Sequence, residues 1–381
     1  MTPPATTAIA TRALPRGLAK PSRGSARTVG VITALAVISC VAVGTITNDM
    51  RPVVAAIYLA FGFAVQRAGF CSAALVSAVV LSRDNRGVMA ILTAVLTAML
   101  GFGVMQTLGW ITVYPGRVSL VPAAAGGLLY GVGMVLAGGC VSGSLFKATE
   151  GRIPSILAVT GIVAGMTMGL SGWGHTVIAY LAELGSFWTP SPNLVATDSA
   201  AYSHTITGLA LIGLAVLSIV FRRRLLSFRF QGAFRSDRGW PLFAVAMIIG
   251  VLGWAAFLTG PAVGRHYPLG ASQIPGALLG LTIQGEVQLA GLLAWPFLLG
   301  STLSAWMRGE IKRRSAPRET LALAFLGGVM VGFGGITARG CFIGQVLSGW
   351  PLLATQGLIF GTVLVLSNWV TTLFYLRGWR S

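Results

Sequence analysis

"GVGMVLAGGCVSGSLFKATEG" (131–151) and "GGITARGCFIGQVLSG" (334–349) each hold a Gly-Cys pair inside glycine-rich, apolar sequence. Laid without gaps, residues 126–144 match residues 327–345 at eight positions. Six of the eight are glycines; the others are an alanine and the cysteine. The second stretch also carries Arg339-Gly340-Cys341, a cation and a thiol where an apolar helix would place leucine.

The surroundings of these stretches fix the class. Of 381 residues, 55% are hydrophobic and only 9% charged, against about 25% charged in a soluble domain. Long charge-free runs recur, such as "VGVITALAVISCVAVGTIT" (29–47) and "VMAILTAVLTAMLGFGVMQTLGW" (88–110). About 20 such residues span a bilayer. The chain is therefore an all-α polytopic membrane protein.

The net charge of +18 comes from 27 Lys and Arg against 9 Asp and Glu. Its distribution points to topology and not to nucleic acid. Positive residues collect in cytoplasmic loops. Here they cluster in the tail from Arg12 to Arg27, in 221–238 and in 308–318, between apolar segments.

Long helices are expected near 29–47, 52–68, 88–110, 120–137, 153–175, 205–221, 240–258, 288–306, 321–337 and 352–376. Four short apolar pieces, 72–82, 141–149, 271–283 and 342–349, each follow a Gly-rich break. None can cross alone, so each long-plus-short pair reads as one broken helix. That gives about ten crossings with both termini inside. The loops read as outside, 181–204 and 284–287, carry Glu183, Asp198 and Glu286 and no Lys or Arg. Arg117, in the outside loop near 111–119, is the exception.

The expected organisation is a disordered basic cytoplasmic tail (1–28), an extra helix (29–51), a first repeat (52–175), a connecting region (176–239), and a second repeat with a short tail (240–381). The first repeat starts and ends outside, the second inside, so the repeats are inverted. Inverted repeats of broken helices mark transporters, with the site near the midplane where the breaks meet.

The breaks hold the unusual residues: Arg67 and Cys71 in the first, Cys140 in the second, Arg265 in the third, Arg339 and Cys341 in the fourth. Cys40 lies outside both repeats and reads as a small apolar filler. Arg67 can equally snorkel from a helix end. There is no CxxC for thiol exchange, no short-spaced zinc ligand pair and no nucleotide loop following a strand. No cofactor is expected, and no enzyme. A membrane thiol redox or sulfur-transfer enzyme is the alternative from another class.

Three motifs carry a resemblance: "QRAGFCSAAL" (66–75), "AGGCVSGSLFKATEG" (137–151) and "ARGCFIGQVLSG" (338–349). They resemble the signatures of the YeeE/YedE sulfur-transport family, across roughly 52–376. The resemblance implies an hourglass of long helices with four short helices meeting centrally. It implies uptake of thiosulfate across the bacterial inner membrane, the ion passing along a row of cysteines through weak S–H hydrogen bonds. Carried over by motif, that row is Cys71, Cys140 and Cys341. Gly139 and Gly340 stand beside the last two, with Arg67, Arg265 and Arg339 near the mouths. A cytoplasmic sulfur carrier of the TusA-like type is the implied partner. The shared motifs of a selenium-associated branch leave another sulfur or selenium species open.

The chemistry is consistent with such a cargo. Thiosulfate is a dianion with a soft terminal sulfur, and a neutral thiol is a weak S–H donor. Weak, multiple sites allow entry and exit. Arginines raise the local anion concentration, and half-helix N-termini add N–H donors.

Overall fold

The computed structural model describes residues 23–111, 119–184, 200–220, 240–263, 268–272, 274–275 and 287–378. Among them, seven helices are long and apolar enough to cross a membrane. Two of the seven are broken runs, Arg51–Ser82 and Leu120–Thr149. The chain is a multi-pass membrane protein.

The helices are α1 (Arg23–Thr47), α2 (Arg51–Ala68), α3 (Ser72–Ser82), α4 (Arg86–Thr107), α5 (Leu120–Leu136), α6 (Val141–Thr149), α7 (Ile153–Leu170), α8 (Gly172–Leu184) and α9 (Ala200–Val220). There follow α10 (Leu242–Thr259), α11 (Val287–Arg308), α12 (Arg318–Thr337), a wide-turn π-helix (Ile343–Gly349) and α13 (Thr355–Gly378).

One device makes the three described cysteine breaks. α2, α5 and α12 are each closed by a residue in the left-handed region: Gly69 (φ 63°), Gly138 (φ 65°) and Arg339 (φ 57°). Glycine reaches that region without a Cβ penalty. Two of the three ends carry the Schellman bond, Phe70 N–H to the Val65 carbonyl and Gly340 N–H to the Gly335 carbonyl, both 2.8 Å. In each case the cysteine stands two residues on. Cys71 and Cys140 are extended and begin a new short helix. The backbone thus stops, turns and restarts with a thiol at the restart.

Glycine also sets the helix packing. A Cβ at Gly126 would lie 2.6 Å from the Gly334 carbonyl oxygen, and one at Gly133 would lie 2.7 Å from that of Gly327. α5 and α12 therefore run antiparallel at backbone contact. The same closeness recurs where Gly161 and Gly165 of α7 face Phe325 and Val329 of α12, and where Gly62 of α2 meets Phe297 of α11. Between lipid-bathed helices the hydrophobic drive is weak, and such close van der Waals seams hold the bundle.

A polar latch ties one end of the bundle. The Gln66 side-chain amide donates to Glu150 (3.2 Å) and Glu310 (2.9 Å). Each carboxylate also pairs with an arginine, Glu150 with Arg152 at 2.9 Å and Glu310 with Arg308 at 2.8 Å. The 308–314 segment adds backbone bonds, Lys312 N–H to the Glu150 carbonyl and Arg314 N–H to that of Gly151.

The sequence reading needs two corrections. The helix expected over 153–175 ends at Leu170, and α8 starts at Gly172. Ser171 turns extended, its hydroxyl donating to the Thr167 carbonyl at 2.6 Å, and Gly172 adopts φ 62°. The loop expected over 181–204 is correspondingly shorter, since 181–184 and 200–204 are helical. Of the third short piece, 271–283, only 271–272 and 274–275 lie within the described residues.

Candidate functional site

The site follows from the breaks. All four cysteines are free thiols; Cys71, Cys140 and Cys341 are buried and Cys40 in α1 is half-buried. Cys71 and Cys140 come together around Gly143, in the first turn of α6. A Cβ at Gly143 would lie 2.5 Å from Cys71 Sγ and 3.3 Å from Cys140 Sγ. Both sulfurs therefore border the one position beside Gly143. Cys140 Sγ also accepts the Gly143 N–H at 3.3 Å and lies 3.3 Å from the Ser142 hydroxyl. The missing side chain at Gly143 is what lets two sulfurs share this place.

Cys341 joins through Tyr130. The Tyr130 hydroxyl oxygen accepts the Val141 N–H and the Phe342 N–H, both at 3.4 Å. Those amides directly follow Cys140 and Cys341, so the two short helices start against one phenol. Tyr130 is fully buried, its ring edge-on to Phe360 at 5.5 Å.

Gly139 and Gly340 are buried in the breaks. A Cβ would meet Ser144 Oγ at 3.0 Å in the first case and the Gln345 side-chain nitrogen at 2.8 Å in the second. Gln345 donates to the Ala338 carbonyl (2.9 Å), as Gln356 does (2.7 Å). These amides satisfy the end of α12 from the side.

The arginines divide. Arg67 is buried at the end of α2, where its backbone carbonyl accepts from Trp240 N–H (3.2 Å) and Arg308 (3.5 Å). That places it in the latch region with Gln66. Arg339 is exposed beside buried Cys341. Its left-handed backbone costs a non-glycine residue about 1–2 kcal/mol. Arg265 lies outside the described residues.

Two residues escaped the sequence reading. Tyr130 was hidden as an aromatic in an apolar helix. Lys147, on the half-buried face of α6, donates to the Gly138 carbonyl at 2.6 Å and lies 3.6 Å from Cys71 Sγ. Its signal was available: seven residues past Cys140 is two helical turns, hence the same face. Among the described residues no three His, Cys, Asp or Glu side chains gather to hold a metal ion.

Comparison with known proteins gives this geometry a context. Residues 67–370 match the family model described as sulphur transport. The chain is 27% identical over 334 residues to a protein of Escherichia coli (strain K12) named thiosulfate transporter TsuA, covering 84% of this chain and 93% of that one. It is 28% identical over 332 residues to the thiosulfate transporter TsuA of Spirochaeta thermophila, covering 83% and 96%. A third relative, the probable transporter YedE of Escherichia coli (strain K12), is 28% identical over 165 residues, 43% of this chain and 39% of its own length. The family match spans most of the chain, including all three described breaks from Arg67 onward, and the chain belongs to the sulphur transport family, a family of transporters and not of enzymes.

Proposed function

We propose that this protein takes up thiosulfate through a central pore in which the anion passes between the thiols of Cys71, Cys140 and Cys341. The carrying observation is that all three thiols stand two residues past the left-handed end of a long helix. Two relatives aligned over most of the chain are named thiosulfate transporters, which supports the choice of cargo. A thiol offers a weak S–H donor to the soft sulfur, so each station holds the ion briefly. Growth of a strain lacking other sulfur uptake routes, with thiosulfate as sole sulfur source, tests the reading. Growth no better than the empty strain would refute it. A relative named only a probable transporter carries no cargo in its name, which leaves room for a second reading, another sulfur or selenium species, and competition among such anions separates the two.

The proposed architecture is an hourglass of two inverted repeats and about ten crossings. Crosswise glycine contacts support it. The offset of 201 relates Gly126 to Gly327 and Gly133 to Gly334, while the contacts pair Gly126 with Gly334 and Gly133 with Gly327. A two-fold axis requires that exchange. The amides on Tyr130, Val141 and Phe342, differ by the same 201.

The host membrane in this reading is the bacterial inner membrane, with both termini and the basic loops 222–238 and 308–318 cytoplasmic. A TusA-like carrier would receive sulfur on that side. A cysteine placed at Ser199 should react with an impermeant maleimide from outside intact cells. Protection until the cells are opened would overturn the inverted arrangement.

Arg339 draws the anion toward Cys341, with Arg265 as a further cation of the mouths and Arg67 as a buried cation beside the latch. Arg339→Gln should leave the protein in the membrane and weaken uptake most at low thiosulfate, where local concentration limits flux. Normal uptake at every concentration would assign Arg339 a purely structural role.

A further inference from the structure

We infer that Lys147 is a cargo-selecting residue: its ammonium takes the anion's oxygens while Cys71 and Cys140 face its soft sulfur, favouring a dianion over a monoanion. This rests on the thiosulfate reading above and goes beyond it in naming the charge that discriminates.

The position is a boundary. Gly138 is exposed, Cys71 and Cys140 are buried, and Lys147 bridges the two zones with contacts of 2.6 Å to the Gly138 carbonyl and 3.6 Å to Cys71 Sγ. Among the described residues, no carboxylate lies within ion-pair reach of Lys147. Its acceptors are the Gly138 carbonyl oxygen and the Cys71 sulfur. An oxyanion binds the ammonium more strongly than a carbonyl does, because full charge–charge attraction is added to the hydrogen bond.

The residue type points the same way. Only three of the chain's 27 basic residues are lysines, Lys20, Lys147 and Lys312. A compact ammonium with three rotatable donors suits a site that must grip and release, where a guanidinium fork would hold one geometry. The repeats also differ here. At the offset of 201 the counterpart of Lys147 is Ser348, whose hydroxyl donates to the Leu269 carbonyl at 2.7 Å. The counterpart of Gly138 is Arg339. Each of these two breaks thus has one cation, but only at the Cys140 break does it touch a pore thiol among the described residues.

Thiosulfate uptake into membrane vesicles tests this through the split between KM and maximal rate. Lys147→Gln should raise KM about tenfold with normal accumulation, and Lys147→Arg should recover part of the loss. A wild-type KM in the Gln variant overturns the inference, as does a defect confined to accumulation that Arg does not relieve. A wild type that takes up no thiosulfate overturns the functional reading itself, before any variant is compared. The methanethiosulfonate anion, which keeps the terminal sulfur but has one charge, supplies an arm independent of variant folding. On the wild type it should compete about tenfold more weakly than unlabelled thiosulfate; equal competition contradicts a role for the ammonium.

Discussion

Cys71→Ala, Cys140→Ala and Cys341→Ala should each lower thiosulfate uptake at least about tenfold, the equivalent of roughly 1.4 kcal/mol, while Cys40→Ala should leave it unchanged. The contrast follows from placement. The first three thiols are buried at the restarts of short helices, and two of them share the space left by Gly143. Cys40 is half-buried in α1, away from every break. Alanine keeps the backbone and removes only the sulfur, so accumulation in the membrane should hold while flux falls. Cys140→Ala should do the most damage, because Cys140 shares the space beside Gly143 with Cys71 and adjoins the amide that binds Tyr130. Uptake rates normalised to membrane-extracted protein check this. Equal tolerance at all four positions would end the relay.

Gly165→Leu or Gly332→Leu, by contrast, should abolish the folded protein. A Cβ at Gly165 would run into the Val329 carbonyl of α12, and one at Gly332 into the Ile162 carbonyl of α7. The obstacle is backbone in both cases, so the helices must separate along the seam and lose its dispersion contacts. Gly208 of α9 is the control, since a Cβ there meets nothing within 4 Å. Gly208→Ala should be neutral or stabilise by about 0.5–1 kcal/mol, the helix-interior preference for alanine. Size-exclusion profiles in detergent read the difference; a monodisperse Gly165→Leu protein would show that the seam is slack.

Much of this fold was legible because the membrane simplifies the code. Helices expected at 52–68, 72–82, 120–137 and 141–149 coincide within a residue or two with α2, α3, α5 and α6. Apolar length marks the helices, and Gly-rich punctuation marks the breaks. The break after Leu170 was missed since Ser-Gly inside an apolar run is also tolerated helix sequence. The site was legible only as positions. Gly-Cys spacing located Cys140 and Cys341, but no one-dimensional pattern places Cys71 against Gly143, or Phe342 on Tyr130, 212 residues away. Lys147, two helical turns past Cys140, was not singled out. Gln66 and the two carboxylates it joins come from three separate segments, and only folding assembles them.

Uptake of radiolabelled thiosulfate into liposomes containing only this protein tests the central claim most directly. The account predicts saturable uptake that unlabelled thiosulfate competes away and that is lost on replacing Cys140 by alanine. Uptake by that variant equal to wild type, at every concentration, would contradict it.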